Sequence, residues 1–302
     1  MAGSGEVSWS RVRGPGGGSL EVAASGPPGA LPLVFHLGTP GPALLFGPLL
    51  EAAARHGLRV VCYSRPGYAG STPQPGRAVA HAAADTAAVL DAAGADSFVT
   101  IGWSGGGPHA LACAALLPGR CRAAVSLAGV APYDADGLEW MAGMGEENVT
   151  EFSLALQGEQ ALTPFLEEQA RGLGHVSADQ VADAFGGLIS EVDRASLTRD
   201  FAQFMAELCR RSVSAGIAGW RDDDLAFVRP WGFDLAAITV PVAVWQGGQD
   251  RMVPLAHGQW LAAHIPGASA RLFSTEGHLS LAVGSLDRIV GDLVGLAGGA
   301  AS

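Results

Sequence analysis

Five residues, Gly102-Trp103-Ser104-Gly105-Gly106, stand between an apolar, partly β-branched run at 97–101 and an Ala/Leu-rich segment at 107–117. A buried strand, then glycines on both sides of one serine, then a helix former, obliges the chain to reverse within a few residues. Glycine suits that reversal because it tolerates backbone angles and close approaches that a side chain forbids. The serine is left exposed at the tip, and the N–H of the next residue opens a helix, where unpaired amides favour negative charge. A chain that carries this stretch needs a strand-turn-helix layout, and the remaining sequence repeats it.

Partial alternation at 19–25 reads as an early strand, followed by the turn cluster Gly26-Pro27-Pro28-Gly29. The nearly continuous apolar runs at 31–37 and 59–63 suit strands buried on both faces, and a further short strand is expected at 123–128. Helices are expected at about 43–56, 79–94 and 107–117 between them. From about 131 to 232 no strand pattern appears, while Val181, Phe185 and Leu188, then Phe201, Phe204, Met205 and Leu208, recur at helical spacing. Strands resume at 240–246 and 270–274, separated by a helix at 256–264 and closed by another at 286–297. The fold class expected is α/β: a doubly wound, mostly parallel sheet whose core, residues 1–130 and 233–302, is interrupted by an all-helical insertion at 131–232. Trp140, Met141, Met144, Phe152 and Phe165 are candidates for lining a pocket under that insertion, or for holding it together.

Composition narrows the partners. At 302 residues and 48% hydrophobic the chain can bury a large core, and its net charge of −11 argues against nucleic acid or an anionic membrane. Cys62, Cys113, Cys121 and Cys209 form no C-x-x-C pair, and the first two lie in apolar patterns, so buried free thiols are expected. No His/Cys/carboxylate cluster has metal spacing and no glycine loop has a phosphate-binding pattern, so neither metal nor cofactor is implied. The polar, Gly-rich start at 1–18 has no apolar core and no window reaches a membrane span, which makes a cytoplasmic protein with a small-molecule substrate the expectation.

A serine hydroxyl is a weak nucleophile near neutral pH and needs a base, usually a histidine oriented by a carboxylate. The chain offers Ser104, then Asp250 just past one strand, then His278 just past the last strand, and a parallel sheet collects strand ends on one rim. Together, His36-Leu37-Gly38-Thr39-Pro40-Gly41, Gly102-Trp103-Ser104-Gly105-Gly106, Gly248-Gln249-Asp250-Arg251-Met252-Val253-Pro254 and Glu276-Gly277-His278 make the chain resemble the α/β-hydrolase superfamily over nearly its whole length. The resemblance implies Ser104 as nucleophile, His278 as base and Asp250 as the acid that orients it. It further implies an oxyanion hole made by the backbone N–H groups of Gly105 and Thr39. The chain departs from many relatives at Leu37, where they carry His-Gly directly before the oxyanion residue.

Rival placements follow from the same loops. Asp134 or Asp136 could serve as the acid in place of Asp250, His36 reads as a loop brace, and His81, His109, His257 and His264 lie in helical patterns and read as structural. The expected function is a serine hydrolase acting on a small to medium, largely apolar carboxylic ester through an acyl-enzyme. A proline-iminopeptidase-like aminopeptidase is an alternative, with Glu146, Glu147 or Glu151 available to hold an amino group. Carbon–carbon bond hydrolysis uses the same three residues, and a non-catalytic ligand-binding protein is the reading from another class.

Overall fold

The computed structural model describes residues 6–299. Its frame is one eight-stranded sheet: β1 (Ser8–Arg13), β2 (Ser19–Ser25), β3 (Leu31–His36), β4 (Leu58–Tyr63), β5 (Phe98–Trp103), β6 (Cys121–Leu127), β7 (Val242–Gly247) and β8 (Ser269–Phe273). The order is β1-β2-β4-β3-β5-β6-β7-β8, antiparallel for β1–β2 and β2–β4 and parallel from β4 to β8. The central strands are the continuous apolar runs of the sequence, and both their faces are covered. Helices α1 (Gly47–Arg55) and α11 (His278–Gly299) pack on one face. Helices α2 (His81–Ala92), α3 (Gly106–Leu116) and α10 (Leu255–His264) pack on the other.

Between β6 and β7 the described chain forms no strand. It builds α4 (Glu146–Gln157), α5 (Glu159–Leu173), α6 (Val181–Phe185), α7 (Glu191–Ser196), α8 (Arg199–Ser212) and α9 (Ala218–Phe227), which lie over the carboxyl ends of the parallel strands. Placing a helical layer there leaves a space between it and the rim, where the functional side chains collect.

Three elements differ from the sequence-based expectation. Strand β1 was not anticipated, because as an outer antiparallel edge it buries almost nothing and reads as polar; Trp9 is 47% exposed, under the Arg211 guanidinium at 4.9 Å. Helix α1 begins at Gly47 rather than 43, since Pro48 suits a first helical turn and disfavours helical geometry before it. Helix α11 begins at His278, eight residues before the expected start at 286. Its N-terminal amides are met by a carboxylate 86 residues away in sequence, described below. The four cysteines are buried and free.

Candidate active site

Ser104 occupies the turn between β5 and α3 with a φ of +57°, left-handed geometry that a non-glycine residue adopts only under strong local constraint. The constraint is close packing. A Cβ on Gly106 would run into the His36 carbonyl, and one on Gly105 would lie 2.5 Å from the Thr39 hydroxyl. Glycine at these places lets the turn press against the loop that follows β3, and Gly38 of that loop abuts the Ser104 side chain.

Asp250 follows β7 and His278 opens α11. The His278 Nδ1–H donates to Asp250 Oδ2 at 2.8 Å. The same oxygen accepts from Gln246 Nε2 at 3.0 Å, while Oδ1 accepts from the Met252 and Val253 amides at 2.9 and 2.8 Å. Burial pushes the Asp250 carboxyl upward, and His278 with the Val253 amide opposes that push. Burial works to lower His278, but the Asp250 charge and hydrogen bond, helped by Asp193, outweigh it and carry the imidazole above its ordinary value of 6.5. With Nδ1 bonded to a carboxylate, the neutral ring carries its lone pair on Nε2. The indole of Trp103 stacks on the ring, centroids 5.8 Å apart. Asp134 and Asp136 are exposed after β6, and the carboxylate bonded to His278 is that of Asp250.

Asp193, on α7, is fully buried; its Oδ1 accepts from the Leu279 and Ser280 amides at 2.7 and 2.9 Å, and its Oδ2 from Ser190 Oγ at 2.9 Å. It thereby caps α11 at the residue after His278.

A second buried network holds the loop after β3. Arg65 donates from Nη1 to the Leu37 carbonyl at 2.7 Å and from Nη2 to the Gly38 carbonyl at 2.9 Å and to Thr39 Oγ1 at 3.1 Å. Asp223, wholly buried on α9, meets Arg65 Nη2 and Arg77 Nη2, each at 2.6 Å. It also accepts from the Thr39 hydroxyl at 2.7 Å and the Tyr68 hydroxyl at 2.8 Å. Burial alone would raise the Asp223 carboxyl, yet Arg65 and Arg77 hold it well below the usual carboxylate range. His109, kept neutral by burial and by Arg65, donates from Nδ1 to the Gly105 carbonyl at 2.8 Å. The loop that carries Thr39 and the turn that carries Ser104 are thus tied to one carboxylate supplied by the helical layer.

Two connected cavities open at Ser104. One, of about 80 Å³, is apolar and lies against His278, with Leu173, Phe185, Met205, Leu208 and Met252 in its wall. The other, of about 140 Å³, reaches Gly105, Phe152, Phe165 and Phe227 and the carboxyls of Glu147, Glu151 and Asp224. Of the pocket candidates named from sequence, Phe152 and Phe165 line this space. Trp140 and Met144 are core residues instead: the Trp140 indole donates to the Ala131 carbonyl and packs edge-on to Phe152. Met141 packs partly buried against the same core.

His36 is buried between Tyr63 and His109 with its pKa lowered to about 3 by burial and Arg65, a bracing position. His257 accepts from the Ala131 amide and donates to the Trp140 carbonyl. Arg65, Asp193 and Asp223 were not singled out from sequence. The visible sign of the last is three successive aspartates, 222–224, between Trp220-Arg221 and Leu225-Ala226-Phe227 in one short helix. Among the described residues no group of three metal-ligating side chains comes together, and no helix is long and apolar enough to cross a membrane.

Comparison with known proteins agrees with this architecture. Residues 32–285 match the family model described as alpha/beta hydrolase fold. The chain is 31% identical over 254 residues to a non-heme chloroperoxidase of Streptomyces lividans, covering 83% of this chain and 86% of that protein. Among solved structures, an esterase from Rhodococcus sp. ECU1013 superposes with a TM-score of 0.67 at 22% identity, over 96% of this chain and 98% of its own. An alpha/beta hydrolase fold protein from Nakamurella multipartita gives a TM-score of 0.63 at 28% identity, over 96% and 100%. With the family model spanning most of the chain, and a relative 31% identical over 83% of it, the protein belongs to the alpha/beta hydrolase family.

Proposed function

We propose that the protein is a serine hydrolase that cleaves small to medium, largely apolar carboxylic esters through an acyl-enzyme on Ser104. The observation that carries the reading is one apolar cavity bordered by both Ser104, held at positive φ, and His278, whose far ring nitrogen is bonded to buried Asp250.

Ser104 Oγ attacks the ester carbonyl carbon and its proton passes to Nε2 of His278. Asp250 remains ionised and stabilises the imidazolium. The oxygen of the tetrahedral intermediate takes hydrogen bonds from the Gly105 and Thr39 backbone amides, a role supported by the contact of these two residues beside Ser104. The intermediate collapses, the alcohol leaves with the proton from His278, and the acyl group stays on Ser104. Water then repeats the sequence against the acyl-enzyme, giving its proton to His278 and releasing the carboxylic acid. A fluorophosphonate probe tests the nucleophile: labelling at Ser104 is expected, and equal labelling of Ser104→Ala would overturn the reading.

The similarity to a non-heme chloroperoxidase favours a second acyl acceptor. Hydrogen peroxide attacking the acyl-enzyme in place of water yields a peracid, which oxidises halide. Bromide oxidation that needs peroxide, a carboxylic acid and Ser104 supports this activity; oxidation that persists in Ser104→Ala refutes it.

A further inference from the structure

The 140 Å³ cavity contains a feature that hydrolysis of a plain apolar ester does not use. Asp224 has no exposed surface and borders the cavity, and no N–H or hydroxyl of the protein donates to its carboxylate oxygens; its one polar partner is the carboxyl of Glu151. Its neighbour in the cavity wall is Glu151, on α4, which is anchored by a hydrogen bond from Trp220 Nε1 to Oε1 at 2.7 Å. The adjacent cation, Arg77, directs its Nη2 to Asp223 Oδ1 at 2.6 Å and to the Gly219 carbonyl at 3.0 Å rather than to Asp224. Four aromatic side chains, Phe152, Phe165, Trp220 and Phe227, line the same cavity, and Glu147 adds a third carboxyl to its wall. Two carboxyls side by side under aromatic faces is an environment that favours an organic cation, by charge and by attraction to ring faces.

We propose that Glu151 and Asp224 recognise a positively charged nitrogen on the substrate, so that the ester presented to Ser104 carries an ammonium group at one end. The proposal rests on Ser104 being the nucleophile and names the substrate class of that site.

Charge balance in the cluster explains how the pair survives without its ligand. Arg65 and Arg77 exceed Asp223 by one positive charge. Burial raises both Glu151 and Asp224, and Asp224 further because Glu151 and Asp223 face it, so the two carboxyls resist ionising together and hold one proton between them. Arg65, Arg77, Asp223 and the singly protonated pair then sum to zero. A substrate ammonium takes the place of the shared proton, which leaves to solvent. The cation therefore binds two carboxylates whose repulsion it relieves, while an uncharged isostere meets only the protonated pair.

The test uses ester pairs that differ in one group: glycine ethyl ester against ethyl propionate, β-alanine ethyl ester against ethyl butyrate, and acetylcholine against 3,3-dimethylbutyl acetate. Hydrolysis is followed by pH-stat at pH 7, and each kcat/KM is divided by the ester's rate with hydroxide to remove intrinsic reactivity. At least one cationic ester should exceed its neutral partner by about tenfold or more, and Glu151→Gln and Asp224→Asn should each reduce that ratio severalfold. The wild-type ratio stands by itself if a variant fails to fold. Neutral partners hydrolysed as well or better in all three pairs, or a ratio that both variants leave unchanged, overturn the proposal. Fluorophosphonate labelling of Ser104 in the same preparations separates this failure from failure of the nucleophile assignment.

Discussion

Replacing Asp223 by asparagine keeps its volume and most of its hydrogen-bond geometry while deleting one charge, and it isolates what that carboxylate does for the active site. In the native protein Asp223 faces Arg65 and Arg77 at 2.6 Å with no solvent contact. Removing one member of a buried ionic cluster leaves uncompensated charge and costs about 3–5 kcal/mol. That is a large fraction of a total stability of roughly 5–15 kcal/mol, and with an unfolding entropy of about 0.6 kcal/mol/K for a chain this long Asp223→Asn should fold with its Tm lowered by roughly 5–8 °C. Its effect on catalysis should exceed what stability explains. The Thr39 hydroxyl exchanges a carboxylate acceptor for a neutral amide oxygen and Arg65 loses its counter-charge, and Arg65 is what fixes the Leu37 and Gly38 carbonyls. Displacing the Thr39 amide approaches the loss of one oxyanion donor, about 10²–10³ in kcat, so a fall of about tenfold to a hundredfold is expected, with KM much less affected. Thr39→Val, which keeps the amide and deletes only the hydroxyl, should fall between wild type and Asp223→Asn. The assays are kcat and KM on a p-nitrophenyl ester well below the lowered Tm, and thermal unfolding followed by circular dichroism. Wild-type kcat in Asp223→Asn, or a Tm within a degree or so of wild type, would refute the reasoning.

Because Asp250 raises His278, and His278 must be neutral to accept a proton, kcat/KM should decline toward acid pH with its midpoint above 6.5; a midpoint at or below that value contradicts the pairing. Burial lowers His257 to about 4, so between pH 6.5 and that value the unfolded chain binds the proton and the folded one does not, and stability is lost as pH falls. His257→Gln removes that dependence, and its unfolding free energy relative to wild type should improve by about 2 kcal/mol from pH 7 to pH 5, at about 1.4 kcal/mol per unit; no relative change in urea unfolding at the two pH values counts against it. Met205→Phe, which fills the 80 Å³ apolar lobe, should shift the preferred p-nitrophenyl ester to a shorter acyl or alcohol chain, and an unaltered chain-length profile would remove Met205 from the substrate path.

The parts of the site that were legible in the sequence are those encoded locally. Ser104 sits where a β-branched run meets a helix former, and Asp250 and His278 follow apolar runs, so topology alone puts all three at one sheet rim. The parts that were not legible depend on distant segments. Nothing near Arg65 reveals that its guanidinium will span the Leu37 and Gly38 carbonyls, and nothing near Asp193 reveals that it will cap a helix 86 residues later. The aspartates at 222–224 carry no local sign of their separate partners, because three successive acids point in three directions only once the helix is formed. Asp222 meets Arg221, Asp223 enters the buried cluster and Asp224 faces Glu151. Strand β1 was illegible for the opposite reason: an edge strand that buries little leaves no apolar periodicity to read.

The anchoring of α9 through Asp223 has a consequence for how substrate enters. A cover held on by apolar contact alone can slide or lift at modest cost, but lifting this one would draw a carboxylate away from two arginines inside the core and loosen the Thr39 loop at the same moment. An open state of that kind would be an inactive one. Traffic to Ser104 is therefore expected to run through the parts of the roof that hold no such tether, the α5 end and the α6 segment at Leu173 and Phe185, whose side chains wall both cavities. With α9 tied through Asp223 and α7 through Asp193, the door is expected on the side that Leu173 and Phe185 mark.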